Sequence, residues 1–213
     1  MRDVDVFWSF RSPYSYLATP GILEIIDDYA VRMNIRVVLP IAIRSPEILF
    51  TPENRNKVKY ILLDWERRAE FLGIPHAWPS PDPVVIDSDN LTVAEEQPYI
   101  YWLSCLGVEA QRRGRGPQFV AEVSKLIFGG FRNWHQGDYL ANATSRAGLD
   151  LRQMEASIGD GANHRLEIED NHQGLADAGH WGVPTFVVDN EPFFGQDRVE
   201  TLKWRLDQMD LRK

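Results

Sequence analysis

The sequence predicts an α/β protein whose single sheet, in the order β-α-β … β-β-α, is interrupted by a long all-helical insertion. Three observations carry that expectation. An apolar run near the start hands over to a helix and then to a second apolar run. The middle of the chain reads as helix after helix, cut by glycines. The last forty or so residues return to β character before a closing helix.

Residues 4–10, VDVFWSF, are rich in Val, Phe and Trp and read as a buried strand. A helix start follows: Ser12 can cap and Pro13 suits the first helical position. Tyr16, Leu17, Ile22, Leu23 and Ile26 then supply an apolar stripe. The pattern carries this helix to about Met33, and IRVVLPIAI (35–43) reads as the second strand. Strand–helix–strand within one sheet implies a parallel pair. From about Asn54 to Leu72 a charged amphipathic helix is expected, ending at G-I-P before the loop HAWPSPDP (76–83). Helices follow over about 91–113, 117–128, 138–147, 151–158 and 161–180, punctuated by Gly114, Gly116, Gly129, Gly130 and Gly148. TFVV (185–188), a turn at Asp189-Asn190 and PFF (192–194) predict a hairpin, and residues 197–209 a last helix. Residues 1–50 and 175–213 would then form one domain, with 51–174 as the insertion.

The totals narrow the function. The 213 residues are 44% hydrophobic and 25% charged, enough apolar content for a packed core. A net charge of −8 argues against a broad nucleic-acid surface. The first ten residues lack the apolar core of a secretory signal, and no stretch reaches the roughly 18 apolar residues of a membrane helix. Cys105 is the only cysteine, so no intramolecular disulfide can form, and a cytoplasmic setting is expected. Within YIYWLSCLG it reads as a core thiol.

Residues 12–15 read S-P-Y-S, a Pro-Tyr pair between two serines at a strand-to-helix junction. With cysteines in place of the serines this would be a dithiol site. A helix N-terminus offers free N–H groups and about half a positive charge, which stabilise an anion. A serine hydroxyl does not ionise there, but it can donate a hydrogen bond to a thiolate brought by another molecule. Taken alone, Ser12 reads as an N-cap. A second motif adds to it: WGVPTFVV sets Gly182-Val183-Pro184-Thr185 just ahead of a strand.

Together these motifs resemble the DsbA-like branch of the thioredoxin superfamily. Within it, the likeness is to the 2-hydroxychromene-2-carboxylate isomerase and kappa-class glutathione transferase family, and it spans nearly the whole chain. The resemblance implies a thioredoxin-like fold, a cis peptide at Pro184, and bound glutathione with its sulfur facing Ser12. It implies that the Val183 backbone pairs with the cysteinyl part of glutathione. Gln196 and Asp197, in Phe194-Gly195-Gln196-Asp197, would receive the γ-glutamyl end. Lys57, in K-V-K-Y-I-L-L-D, matches a family helix whose lysine lies near glutathione or the substrate. Trp134, with Phe128 and Phe131, would line the pocket of the second, small-molecule substrate. The implied reaction interconverts 2-hydroxychromene-2-carboxylate and an open-chain trans-benzylidenepyruvate without consuming glutathione. A kappa-like transferase or peroxidase would consume it, and a non-catalytic binding module would not bind it. Homodimers are common in the family.

The chain departs from the family pattern in three places. FTPENRNKVKY replaces the usual Asn-Lys-Pro-Pro loop, leaving the asparagine contact open between Asn54 and Asn56. Ser9 stands where the strand commonly carries an aspartate. Arg11 directly precedes Ser12, placed either to grip a substrate carboxylate or to sit in solvent. No metal is expected: His164, His172 and His180 recur every eight residues, about 12 Å apart along a helix, too far to share an ion.

Overall fold

The computed structural model describes residues 1–87 and 92–213. Strand β1 (Arg2–Trp8) leads through Ser12 into helix α1 (Pro13–Asp28), and β2 (Val31–Val37) pairs parallel to β1 with Arg2 opposite Val31 and Trp8 opposite Val37. α1 carries Pro20 in its interior, which cannot bond the carbonyl of Tyr16. The Thr19 hydroxyl donates to that carbonyl instead, at 2.8 Å.

Both boundaries expected around β2 move towards the N-terminus. The helix stops at Asp28 rather than near Met33, because Val31, Met33, Ile35 and Val37 alternate inward and pair with β1. That period of two is a strand signal. The strand ends at Val37 because Pro40 starts a short helix, α2 (Ile41–Arg44), where β structure was expected to run on.

Two short 3-10 turns lead to α3 (Arg55–Leu72), closed by Gly73 at φ 65°. Next comes a small antiparallel pair, β3 (Ile86–Asp87) with β4 (Thr92–Val93). Helix α4 (Ile100–Arg112) therefore begins well after the expected position, and its expected start at 91 lies outside the described residues. Gln97 fastens this turn by accepting from the Val85 N–H and donating to the carbonyls of Val85 and Ala94. Helices α5 (Gly116–Phe128), α6 (Tyr139–Arg146), α7 (Leu151–Ile158) and α8 (Ala162–Asp177) follow, close to their expected ranges. The chain ends with β5 (Thr185–Val188), β6 (Glu191–Phe194) and α9 (Val199–Gln208). Asp189 and Asn190 both take positive φ, at 49° and 64°, the geometry of a tight primed hairpin turn.

The sheet order is β2-β1-β5-β6, with β5 antiparallel to β1 and β6 antiparallel to β5. Val4, Val6 and Trp8 of β1 enter the main core with α1, while Phe7 turns to the opposite face against Leu175 of α8. The register between β1 and β5 has a local consequence. Phe7 lies opposite Thr185, so the exit of β1 and the approach to β5 share one end of the sheet. That is how residues near 12 come to face residues near 183.

Candidate active site

The strand-to-helix junction at this sheet end is built by Ser12. Its backbone is extended, with φ −92° and ψ 111°, and its hydroxyl oxygen accepts from the Ser15 N–H at 3.1 Å as a helix cap. The hydroxyl proton points the other way, to the carbonyl of Val183 at 3.2 Å. Val183–Pro184 is a cis peptide, as the resemblance implies. Ser15, the second serine of the motif, is fully buried and its hydroxyl has no hydrogen-bond partner among the described residues.

Ser12 and Val183 open onto a cavity of about 690 Å³. Its walls are mostly apolar. Val58, Ile61 and Leu62 of α3 form one side, Trp78 stands on the loop after α3, and Trp181 and Phe194 stand on the side of β5 and β6. A volume in this range suits a small organic ligand. Four of the residues on the wall carry charge: Arg11, Arg44, Glu66 and Asp82.

Arg11 is not free. Its Nε and Nη2 donate to the two carboxylate oxygens of Asp82 at 2.8 and 2.9 Å, and both side chains are largely buried. The guanidinium also lies 5.6 Å from the Phe50 ring centroid and 5.5 Å from that of Trp78. Asp82 is held in turn, accepting from the Val84 N–H at 2.9 Å. The pair cancels its charge and stiffens the wall beside Ser12.

Arg44, at the end of α2, is bound differently. Its Nε donates to the Leu39 carbonyl at 3.0 Å and its Nη2 donates to the Trp181 carbonyl. Burial draws its pKa below the usual arginine value. His172 of α8 braces the same turn, its Nε2 accepting from the Leu39 N–H at 2.7 Å. Burial, and then the nearby Arg44 charge, lower the His172 pKa to about 4, so it is neutral at pH 7. His180 stacks on Phe194 with centroids 3.9 Å apart, and its Nδ1 accepts from the Gly182 N–H at 2.9 Å. Burial lowers its pKa as well. A Cβ on Gly182 would collide with the Phe194 ring, so only glycine allows this wall to close.

On the third side Tyr14 donates to Asp64 of α3 at 2.8 Å. Burial, then Asp64, raise the phenol pKa, and the same bond holds the Asp64 carboxyl below the usual carboxylate range. Tyr14 is therefore a fixed strut rather than an acid at neutral pH.

Of the residues singled out in the sequence, Arg11, Ser12 and Val183 come together on the cavity wall, with Pro184 next in the chain. The others stand apart from it. Lys57 is exposed, while its neighbour Val58 turns to the cavity, one position round the helix. Gln196 accepts from Arg68 at 3.1 Å and Asp197 pairs with Arg198, both just beyond Phe194. Trp134 is completely buried, its indole N–H donating to the Pro81 carbonyl at 2.8 Å, so it supports the loop that carries Asp82. Phe128 is equally buried, beneath Trp65 and Trp78. Phe131 packs near Tyr139. Asn54 donates to the carbonyls of Glu47 and Ile48, holding the turn before α3, and Asn56 is exposed. Sequence reasoning missed Arg44, Phe50, Trp78 and Asp82. The Pro-rich loop 76–83 was the available signal for two of them, since prolines fix a loop firmly enough to position side chains. Among the described residues, no group of three His, Cys, Asp or Glu side chains is arranged to hold a metal, and no helix is long and apolar enough to cross a membrane.

The site offers a capped helix start and a hydroxyl donor, with the Val183 carbonyl beside them already accepting from that hydroxyl. A strand-to-helix junction facing a cis-proline turn is a thioredoxin-like arrangement, here with no sulfur at residues 12 and 15. Residues 3–207 match the model of the DSBA-like thioredoxin domain, and the chain belongs to that family. It is 24% identical over 203 residues to a 2-hydroxychromene-2-carboxylate isomerase of Pseudomonas putida, covering 94% of this chain and 92% of that protein. A solved 2-hydroxychromene-2-carboxylate isomerase superposes with a TM-score of 0.66 at 18% identity, covering 97% of this chain and 95% of the other. The cytosolic disulfide reductase DsbM of Pseudomonas aeruginosa, solved with GSH, superposes with a TM-score of 0.62 at 15% identity, covering 96% and 99%.

Proposed function

We propose that this protein is a glutathione-dependent isomerase of the 2-hydroxychromene-2-carboxylate type, acting on an aromatic unsaturated keto acid. The observation that carries the reading is the Ser12 hydroxyl, held between the start of α1 and the Val183 carbonyl at the mouth of an apolar cavity. Isomerases of that name are relatives along nearly the full length of the chain, which supports the same reading. The residues present suit a thiol cofactor. Position 12 offers a donor that cannot itself be oxidised, and residues 12 and 15 hold no sulfur for disulfide exchange.

When bound, glutathione would supply a thiolate that adds reversibly to a conjugated double bond, permits rotation, and leaves unchanged. The protein's part is electrostatic and positional. Ser12 now spends its proton on the Val183 carbonyl across a fairly long bond. An incoming peptide N–H can take that carbonyl, leaving Ser12 to turn its proton to the sulfur. Ser12 and the α1 N-terminus together favour the charged form of a thiol placed there. Trp78, Phe50 and the α3 side chains keep water from the reacting double bond.

Calorimetry with reduced glutathione, followed by turnover of trans-benzylidenepyruvate, tests the reading. One-to-one binding and isomerisation at constant total glutathione are expected. Stoichiometric loss of glutathione would replace the isomerase by a kappa-like transferase, and no binding at millimolar glutathione would end both.

A further inference from the structure

We propose that Arg44 is the carboxylate-recognition residue of this cavity and so sets the charge class of the ligand admitted. The assignment rests on the cavity being the ligand chamber of the proposed isomerase. Two arginines line it, and they differ in what they already hold. Arg11 has its guanidinium fork filled by Asp82. Arg44 has no carboxylate within ion-pairing distance among the described residues. Its two engaged nitrogens go to neutral backbone carbonyls, and Nη1 has no hydrogen-bond partner among those residues.

The two carbonyl bonds fix the direction of the fork without neutralising it, which is how a planar cation is made ready for an anion. The surroundings strengthen the attraction. His172 and His180 flank Arg44, and both are held towards their neutral forms, so they neither compete with the anion nor add charge. Glu47, three residues along the chain, acts on Arg44 only at a distance. Glu66 is the remaining charge on the wall and stands exposed on α3. The Trp181 carbonyl gripped by Arg44 lies two residues before Val183, the acceptor of the Ser12 hydroxyl. An anion at Arg44 therefore rests against the same short segment that carries the thiol end of the site.

A carboxylate can come from two sources here, the glycyl end of glutathione or the acid group of an aromatic second ligand. Calorimetry on the full-length protein separates them with two matched pairs: trans-cinnamate against trans-cinnamamide, and glutathione against its glycyl monoethyl ester. In the wild-type protein the charged member of at least one pair should bind at least tenfold more tightly. Arg44→Met should abolish that preference while changing the neutral member less than twofold, and Arg44→Lys should retain part of it. Loss in the cinnamate pair assigns Arg44 to the second ligand, and loss in the glutathione pair assigns it to the cofactor. Should Arg44→Met fail to fold, as judged by circular dichroism, Arg44→Lys gives the same reading through a threefold or greater loss confined to the charged member. The proposal is overturned if the wild-type protein prefers neither carboxylate, or if folded variants keep the preference or lose both members equally. A protein that binds cinnamate through Arg44 but binds no glutathione would defeat the glutathione reading and leave this one standing.

Discussion

The Ser12 hydroxyl donates to the Val183 carbonyl at 3.2 Å, joining two residues 171 positions apart in the chain. This bond draws the helix start of α1 and the cis-proline turn before β5 into one site. It also defines what Ser12→Ala would remove. Loss of the cap should cost about 1 kcal/mol of stability, read by urea unfolding. In the proposed glutathione-dependent reaction, loss of the donor should lower turnover roughly ten- to a hundredfold, since a hydrogen bond to a charged group is worth about 1.5–3 kcal/mol. Ser12→Thr should recover most of both. Full activity in Ser12→Ala would remove Ser12 from the chemistry.

Arg11 and Asp82 form a bidentate pair with little solvent around it. Asp82→Ala strands a largely buried guanidinium and frees the Val84 N–H. Because both side chains keep some solvent contact, a loss of about 1–3 kcal/mol is expected, below that of a fully buried pair. In Arg11→Met/Asp82→Ala part of that loss should return. A double-mutant cycle from chemical denaturation measures the coupling.

His172 makes stability fall in mild acid. In the unfolded chain a histidine protonates near 6.5, whereas folded His172 protonates at about 4. As the pH falls below 6.5, the unfolded chain takes up this proton first, so stability drops through that window and levels off below about pH 4. His172→Gln keeps an acceptor for the Leu39 N–H without the titration. Its unfolding free energy should be flatter between pH 6.5 and 4 than that of the parent protein. Equal slopes would place the acid sensitivity elsewhere.

Gly182 is the one residue that lets Phe194 lie flat on His180. Gly182→Ala should displace the ring and widen that side of the cavity. The expected outcome is a weaker fit for aromatic ligands, several-fold in KM, with a smaller effect on overall stability. Ligand titration and thermal unfolding on the same variant separate the two.

Local signals in the sequence determined much of this molecule. Val, Phe and Trp before a Ser-Pro junction were enough to place β1 and the start of α1, because strand packing and helix capping depend on neighbouring residues. The Asp189-Asn190 turn was legible for the same reason, whereas the cis peptide at Pro184 was implied only by the family resemblance. Resemblance of S-P-Y-S and G-V-P-T to the DsbA-like family then singled out Ser12 and Val183. Where local signals competed, pairing with β1 decided: the helix expected to run to about Met33 stops at Asp28, and Val31 and Met33 join the strand beside β1. Only the tertiary structure could show which charges are still available. Arg11 and Asp82 lie 71 residues apart, and nothing in either neighbourhood announces that they neutralise each other. Nor does the chain near Arg44 announce that its fork is held by the Trp181 carbonyl, 137 residues away, with no ion-pairing acid among the described residues. Lys57, on α3, shows the limit from the other side. Whether a side chain faces a cavity depends on a helix's rotation against its neighbours, which is set by packing across the whole core rather than by any motif within the helix.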